Sequence, residues 1–133
     1  MSPFDPGSNS TPTVLVVDND EAMSTALRTR IESAGYRVLE AHGGQEALEM
    51  FEHQNVDAVV TDLAMPAGNG IQLARHLREI SYVPIIVLTG FQPEYRRELR
   101  HLQEVTVLRK PCSSSDLLDT LEQYLLLSGC TLP

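Results

Sequence analysis

Short apolar runs alternate along the chain with stretches in which apolar residues recur every three or four positions. The apolar runs span residues 14–17, 36–39, 56–60, 84–88 and 105–108, and they are rich in valine, leucine and isoleucine. Several of them are continuously apolar, which is typical of strands that are covered on both faces of a sheet. The pattern therefore predicts five buried β-strands.

The stretches after these runs have the spacing of amphipathic helices. Gly35 follows the first stretch at a position that favours glycine after a helix, and Pro93 suits the first turn of the fourth. Ser113 and Asp116 precede the last stretch, where a hydroxyl and a carboxylate stabilise a helix start. The predicted helices carry apolar residues at Met23, Ala26, Leu27, Ile31 and Ala34; at Ala47, Leu48 and Phe51; at Ile71, Ala74 and Leu77; at Tyr95, Leu99 and Leu102; and at Leu117, Leu118, Leu121 and Leu125.

Five strands that are each followed by a helix predict an α/β fold of the (βα)5 type. Right-handed crossovers place the helices on both faces of one parallel sheet, a doubly wound arrangement. We expect residues 13–127 to form this single domain. Residues 1–12, with three prolines and several small polar residues, predict a flexible tail or linker, and residues 128–133 a short C-terminal tail.

Composition narrows the classes of function. The 133 residues suit one domain, and the formal net charge of −8 disfavours direct nucleic-acid binding. Cys112 and Cys130 have neither metal-site nor redox-motif spacing, so a reducing, cytoplasmic setting is expected. No signal peptide or membrane-spanning run is apparent, and we expect no membrane insertion. The four histidines are scattered and are expected at the surface, outside any site.

Polar residues stand at the predicted strand ends, which share one edge of a parallel sheet. They are the cluster of residues 18–20 (Asp-Asn-Asp), Asp62, Thr89 and Lys110. Each has a plain structural explanation as a helix cap, a turn residue or a surface charge. Together, carboxylates with a hydroxyl and an ammonium suit Mg²⁺ and a phosphoryl group, and one carboxylate could act as a nucleophile.

These segments resemble the receiver domains of two-component response regulators. The cluster at residues 18–20 resembles the metal-binding turn of that family, and residues 57–66 with Gly70 resemble its phosphoacceptor segment. Thr89 stands at the switch hydroxyl position, and Lys110 precedes a proline as in the lysine turn. The resemblance spans about residues 13–127 and implies a flavodoxin-like fold with strand order 2-1-3-4-5.

The resemblance also implies a mechanism. Asp62 would accept a phosphoryl group from a sensor histidine kinase, a histidine phosphotransfer protein or a small phosphodonor. Mg²⁺ would be held by Asp18, Asn19 or Asp20 in the acidic turn, by Asp62 and by the backbone carbonyl of Ala64. Lys110 would pair with a phosphoryl oxygen, and Thr89 would turn toward the phosphate. The domain would catalyse its own phosphorylation and dephosphorylation without independent turnover, and it would signal to a downstream protein target.

Three positions depart from the family pattern. Asn19 occupies a position that is usually acidic, and its neutral amide predicts weaker binding of Mg²⁺. Val107 replaces a common aromatic residue, so the aromatic part of the usual readout is expected to be absent. Gly90 adds backbone freedom beside Thr89.

Two other classes of function stay open at this point. The first is a receiver-like interaction module that is not phosphorylated, which the substitution at Asn19 makes a serious option. The second is a haloacid-dehalogenase-type phosphatase, with Asp18 as nucleophile and Asp20 as general acid. Ala22 and the short chain speak against the phosphatase, and the identity of the labelled aspartate separates it from a receiver.

Overall fold

Five strands and four helices account for most of residues 11–63, 70–90, 102–109 and 114–127, which are the residues described by the computed structural model. The strands are β1 (Thr13–Val17), β2 (Arg37–Ala41), β3 (Ala58–Asp62), β4 (Ile85–Thr89) and β5 (Val105–Arg109). The helices are α1 (Glu21–Ser33), α2 (Gly44–His53), α3 (Gly70–Ile80) and α4 (Ser114–Leu127).

The strands form one parallel sheet in the order β2-β1-β3-β4-β5. This order confirms the predicted fold class and its 2-1-3-4-5 topology. The register aligns the carboxyl ends: Val17 pairs with Thr61, Asp62 with Leu88, and Thr89 with Arg109. All five predicted strands are present, with bounds shifted by up to two residues.

The core lies in two layers, one on each face of the sheet. On one face, Val59 and Ile85 pack with Leu77 of α3 and Ala47 of α2. On the other face, residues of the alternate row pack with Ile31 of α1 and with α4. The strand residues of this row are Val14, Val16, Ala58, Val60, Ile86 and Leu88. The residues of α4 that pack against them are Leu117, Leu121 and Leu125. Both layers confirm that the strands are covered on each side.

The face that α1 presents to the sheet agrees only in part with its apolar spacing: Ile31 is buried and Leu27 packs against the core, as predicted, but other positions differ. Ser24 and Ile31 are buried, whereas Ala26 and Ala34 are exposed and Met23 is 39% exposed. The Ser24 hydroxyl donates a hydrogen bond to Oε1 of Glu40 on β2 at 2.7 Å. Since this bond satisfies the hydroxyl, a polar residue occupies the buried face at little cost.

Arg78, near the end of α3, contacts the backbone just before β4 and β5. Its guanidinium donates to the carbonyls of Ser81 at 2.9 Å and Val83 at 2.7 Å, and makes a longer contact of 3.4 Å with that of Glu104. Burial lowers the pKa of Arg78, but an arginine stays charged throughout the ordinary pH range. One side chain thus ties α3 to the segments that lead into β4 and β5.

Two turns give outcomes for the sequence predictions. Gly35 has a φ of 102°, as predicted for the residue after α1. Pro12, which the composition assigned to the tail, is buried, and its carbonyl accepts a hydrogen bond from the N–H of Arg37 at 3.0 Å.

Some of the predicted features lie outside the described residues. They are the predicted helix with Pro93, Tyr95 and Leu99, the cap residue Ser113 and both cysteines. Within the described ranges, no helix is both long and apolar enough to cross a bilayer.

Candidate functional site

Two aspartates occupy adjacent register positions at the carboxyl ends of β1 and β3. Val17 pairs with Thr61, so Asp18 and Asp62 are the next residues on neighbouring strands. Asp18 is 2% exposed and Asp62 9% exposed. Because side chains alternate along a strand, both residues continue the rows that face α1 and α4. The fold therefore brings together two of the predicted site residues, from positions far apart in the sequence.

The turn after Asp18 is stabilised by hydrogen bonds between backbone N–H groups and the carboxylates of Asp18 and Asp20. Oδ1 of Asp18 accepts a hydrogen bond from the N–H of Asp20 at 2.9 Å. Oδ1 of Asp20 accepts from the N–H groups of Ala22 at 3.0 Å and Met23 at 3.3 Å, so Asp20 is the N-cap of α1. The plain capping interpretation of Asp20 is thereby confirmed. Asn19 between them is exposed.

A histidine contacts this turn from β2. His42 directly follows β2, and its Nδ1 lies 3.2 Å from the backbone oxygen of Asp18. The ring is exposed, as predicted for all four histidines, yet it touches a candidate site residue. Sequence reasoning missed this contact, because His42 and Asp18 are separated by 24 positions and only the pairing of β1 with β2 brings them together.

The backbone of Asp62 is covered by the start of α3. A Cβ atom added to Gly70 would lie 2.5 Å from the backbone oxygen of Asp62 and 2.9 Å from the Cα of Leu63. The N–H of Gly70 donates to the carbonyl of Leu63 at 2.8 Å. Position 70 thus requires glycine for steric reasons, which gives Gly70 a physical role beside Asp62.

Thr89 ends β4 on the strand next to Asp62. It is 7% exposed, and its hydroxyl donates to the carbonyl of Gly90 at 3.0 Å. By strand alternation it continues the row of Ile85 and Val87, which faces α2 and α3. Thr89 thus stands at the predicted edge of the sheet but continues the row opposite to that of Asp18 and Asp62, and its hydroxyl is bonded to its own chain.

Three further positions singled out in the sequence are Lys110, Ala64 and Val107. Arg109 pairs with Thr89 at the end of β5, and Lys110 is the next residue. Lys110 and Ala64 lie outside the described residues. Val107 is partly buried and packs against the core layer under α2 and α3.

The donors available for a cation are few. No group of three or more His, Cys, Asp and Glu side chains in the described ranges could hold a metal ion by itself. Mg²⁺ is commonly bound by one or two carboxylates and keeps several waters. The buried pair of Asp18 and Asp62 fits that kind of site, whereas it does not fit an ion that requires a full cage of protein ligands.

Comparison with known proteins decides the family. The family model described as "Response regulator receiver domain" matches residues 14–122, which include both aspartates and all of the sheet except Thr13. This chain belongs to the response regulator receiver domain family. The match agrees with the strand order and with the resemblance of the strand-end motifs.

Relatives and solved structures support the assignment. The chain is 34% identical over 114 residues to the sensory/regulatory protein RpfC of Xanthomonas campestris pv. campestris, covering 81% of this chain and 16% of that protein. It is 31% identical over 113 residues to the transcriptional regulatory protein CpxR of Escherichia coli, covering 84% of this chain and 48% of that one. The chain thus spans less than half the length of either relative.

The fold also matches a receiver of known structure. The crystal structure of a response regulator receiver protein from Pseudomonas putida superposes with a TM-score of 0.82 at 30% sequence identity. That superposition covers 87% of this chain and 99% of the other. The likeness extends across nearly the whole receiver of that protein.

Proposed function

We propose that this receiver domain accepts a phosphoryl group on Asp62 in two-component signal transduction. The observation that carries the proposal is the pair of neighbouring, largely buried carboxylates at the ends of β1 and β3, with 2% exposure for Asp18 and 9% for Asp62. In open α/β sheets, ligands bind outside the carboxyl ends of the strands. Membership in the receiver family favours Asp62 over Asp18 as the acceptor, and thus a receiver over a phosphatase.

The reaction transfers a phosphoryl group from a phosphohistidine or a small acyl phosphate to the carboxylate of Asp62. A carboxylate oxygen of Asp62 attacks phosphorus, and the bond from phosphorus to the nitrogen of a phosphohistidine, or to the acyl oxygen of a small phosphodonor, breaks. The leaving group departs with its electron pair, and a leaving imidazole takes up a proton. An acyl phosphate on Asp62 is the product. Lys110 would pair with one of its oxygens as a compact positive charge.

The proposal includes Mg²⁺ because phosphoryl transfer brings a negatively charged group next to the carboxylates of Asp18 and Asp62, and a cation offsets their repulsion. Asp18, Asp62 and the carbonyl of Ala64 would hold the ion, with Asn19 or Asp20 as further oxygen donors. When bound, the ion neutralises charge on the phosphoryl oxygens. Asp20 is exposed and caps α1, whereas Asp18 is buried at the position next to Asp62, which favours Asp18 as the ligand from the turn.

The switch in the proposal is Thr89. Its hydroxyl would leave the carbonyl of Gly90 and donate to the phosphate instead, which shifts the populations of two conformations of this edge. A sensor histidine kinase or a histidine phosphotransfer protein would supply the phosphoryl group, and a downstream protein would read the change. These partners, like the cytoplasmic setting, stay predictions.

The test is labelling by acetyl phosphate with and without Mg²⁺, followed by mapping of the modified residue by mass spectrometry. We expect a gain of one phosphoryl group on Asp62 that requires Mg²⁺ and is lost in Asp62→Asn. Asp119→Asn serves as the matched control, because it removes an exposed aspartate on α4. Circular dichroism of each variant confirms that the fold persists.

Three other results would contradict the proposal. Label on Asp18 would support a phosphatase. Equal labelling in Asp62→Asn would place the acceptor elsewhere. No labelling of the wild-type chain by acetyl phosphate or by a competent kinase would support an interaction module that keeps the fold without the chemistry.

A further inference from the structure

His42 directly follows β2, and its ring reaches the turn after β1. A carbonyl oxygen only accepts hydrogen bonds, so Nδ1 carries the hydrogen in the 3.2 Å contact with the Asp18 backbone oxygen. The N–H of Asp18 in turn donates to the carbonyl of Ala41 at 3.0 Å. Both backbone groups of Asp18 are therefore bonded to two consecutive residues at the end of β2.

His42 is itself held from the other side. Its backbone N–H donates to Oε1 of Glu46 at 2.9 Å, a residue in the first turn of α2. This bond does not involve the imidazole ring, so it persists when the side chain is changed. The start of α2 thus fixes the backbone of His42, and the hydrogen bond from the ring in turn holds the backbone carbonyl of Asp18.

We propose that His42 is a positioning residue for the cation site, and this inference rests on the function proposed above. The peptide that follows Asp18 is planar, so a hydrogen bond to its carbonyl fixes the orientation of that whole unit. Asn19 brings no charge to the turn, so cation binding depends strongly on where the Asp18 carboxylate stands. The hydrogen bond from the His42 ring restricts the conformations of the turn before the ion binds. The conformational entropy lost on binding is therefore smaller.

The test uses two neutral replacements of similar shape. In His42→Asn, the amide nitrogen is attached to Cγ as Nδ1 is, so a donor remains for the Asp18 carbonyl. In His42→Leu, a methyl group takes that place and the bond is lost. We titrate each protein with MgCl₂ and follow the amide resonances of Asn19 and Asp20 by NMR, then measure labelling by acetyl phosphate at several Mg²⁺ concentrations.

We expect His42→Leu to weaken Mg²⁺ binding by roughly threefold to tenfold, the effect of one ordinary hydrogen bond. The labelling rate at saturating Mg²⁺ should stay near that of the wild type, because Asp62 is unchanged. His42→Asn should restore most of the affinity. His53→Leu is the matched control, since His53 Nδ1 lies 2.8 Å from the carbonyl of Glu49 within α2.

The outcomes separate this role from the proposed function. Equal Mg²⁺ affinities in the wild type, His42→Leu and His42→Asn would overturn the role of His42 and leave the function of Asp62 standing. Equal weakening in Leu and Asn variants would also overturn it, because the donor would then be irrelevant. Failure of the wild-type chain to bind Mg²⁺ at all would overturn both proposals.

Discussion

Single atoms decide the fit around Asp62, and Gly70 is the clearest case. In Gly70→Ala, the new methyl group would meet two backbone atoms, at 2.5 Å and 2.9 Å, which cannot rotate away. We expect a loss of about 1–3 kcal/mol in the free energy of unfolding, the usual cost of overpacking. Urea denaturation at neutral pH measures it.

The control for this prediction is Gly90→Ala. A Cβ at Gly90 would meet nothing within 4 Å, so stability should change little. Equal stability of the two variants would show that the start of α3 yields easily and that the contact with Asp62 imposes no constraint.

Asn19 gives a second prediction for a single residue. Asn19→Asp restores a carboxylate to the exposed position between Asp18 and Asp20. If the side chain lies at the cation site, the added charge should raise Mg²⁺ affinity by roughly tenfold, since oxygen ligands with charge bind this ion more strongly. Calorimetric titration with MgCl₂ measures the change.

Asn55→Asp provides the matched control, because it adds the same charge at an exposed position before β3, at the far edge of the sheet. We expect almost no change there. A similar gain in both variants would mean that net charge alone governs binding and that Asn19 does not contact the ion.

Contacts between elements explain what residue patterns miss. The apolar runs located all five strands, because buried parallel strands require them. They missed the polar ends: Glu40 lies within β2 and Asp62 within β3, where a hydropathy pattern indicates a turn. The predicted buried side of α1 was wrong at Met23 and Ala26, and Ser24 is buried instead with a hydrogen-bond partner on β2, which periodicity within one helix cannot reveal.

The polar cluster between α1 and β2 predicts a pH dependence. Arg28 donates to Oε2 of Glu40 at 2.8 Å and Ser24 donates to Oε1, and these bonds lower the pKa of Glu40 below its ordinary 4.5. A carboxyl with a lowered folded-state pKa stabilises the fold fully above its unfolded pKa. That contribution is lost as the pH falls through the folded-state value.

We therefore expect Glu40→Gln to lower the free energy of unfolding by about 1 kcal/mol at pH 7, since the pair is partly exposed. The difference from the wild type should shrink as the pH falls below 4.5. Urea unfolding at several pH values measures it, with Glu52→Gln on the exposed side of α2 as control. A difference that stays constant with pH would show that the charge on Glu40 contributes nothing.

At the scale of the whole molecule, the sheet separates two core layers that form distinct clusters of buried residues. Ile31 packs in the layer with α1 and α4, and Ile85 in the layer with α2 and α3. Each Ile→Val change should cost about 0.5–1.5 kcal/mol, and the double variant should equal the sum within about 0.5 kcal/mol. Urea denaturation of the three variants measures this, and a larger discrepancy would reveal coupling through the strands.

The candidate site was predictable to the extent that it follows from topology. Parallel strands bring their carboxyl ends to one edge, so the positions of Asp18, Asp62 and Thr89 there could be inferred from the order of the elements. The contacts of His42 with Asp18, and of Gly70 with the backbone of Asp62, depend on atomic placement between segments. No local pattern in the sequence carries that information.

The strand order has a consequence for how the chain acquires its structure. β1 is made before both of its neighbours, yet it lies between β2 and β3 in the finished sheet. One hydrogen-bonding side of β1 can pair as soon as β2 is available, whereas the other must wait for residues 58–61. Until then a nascent chain exposes an unpaired edge that is apolar from Val14 to Val17, which is a template for association with other chains. Ribosome-bound chains that end before β3 should therefore depend most on chaperones.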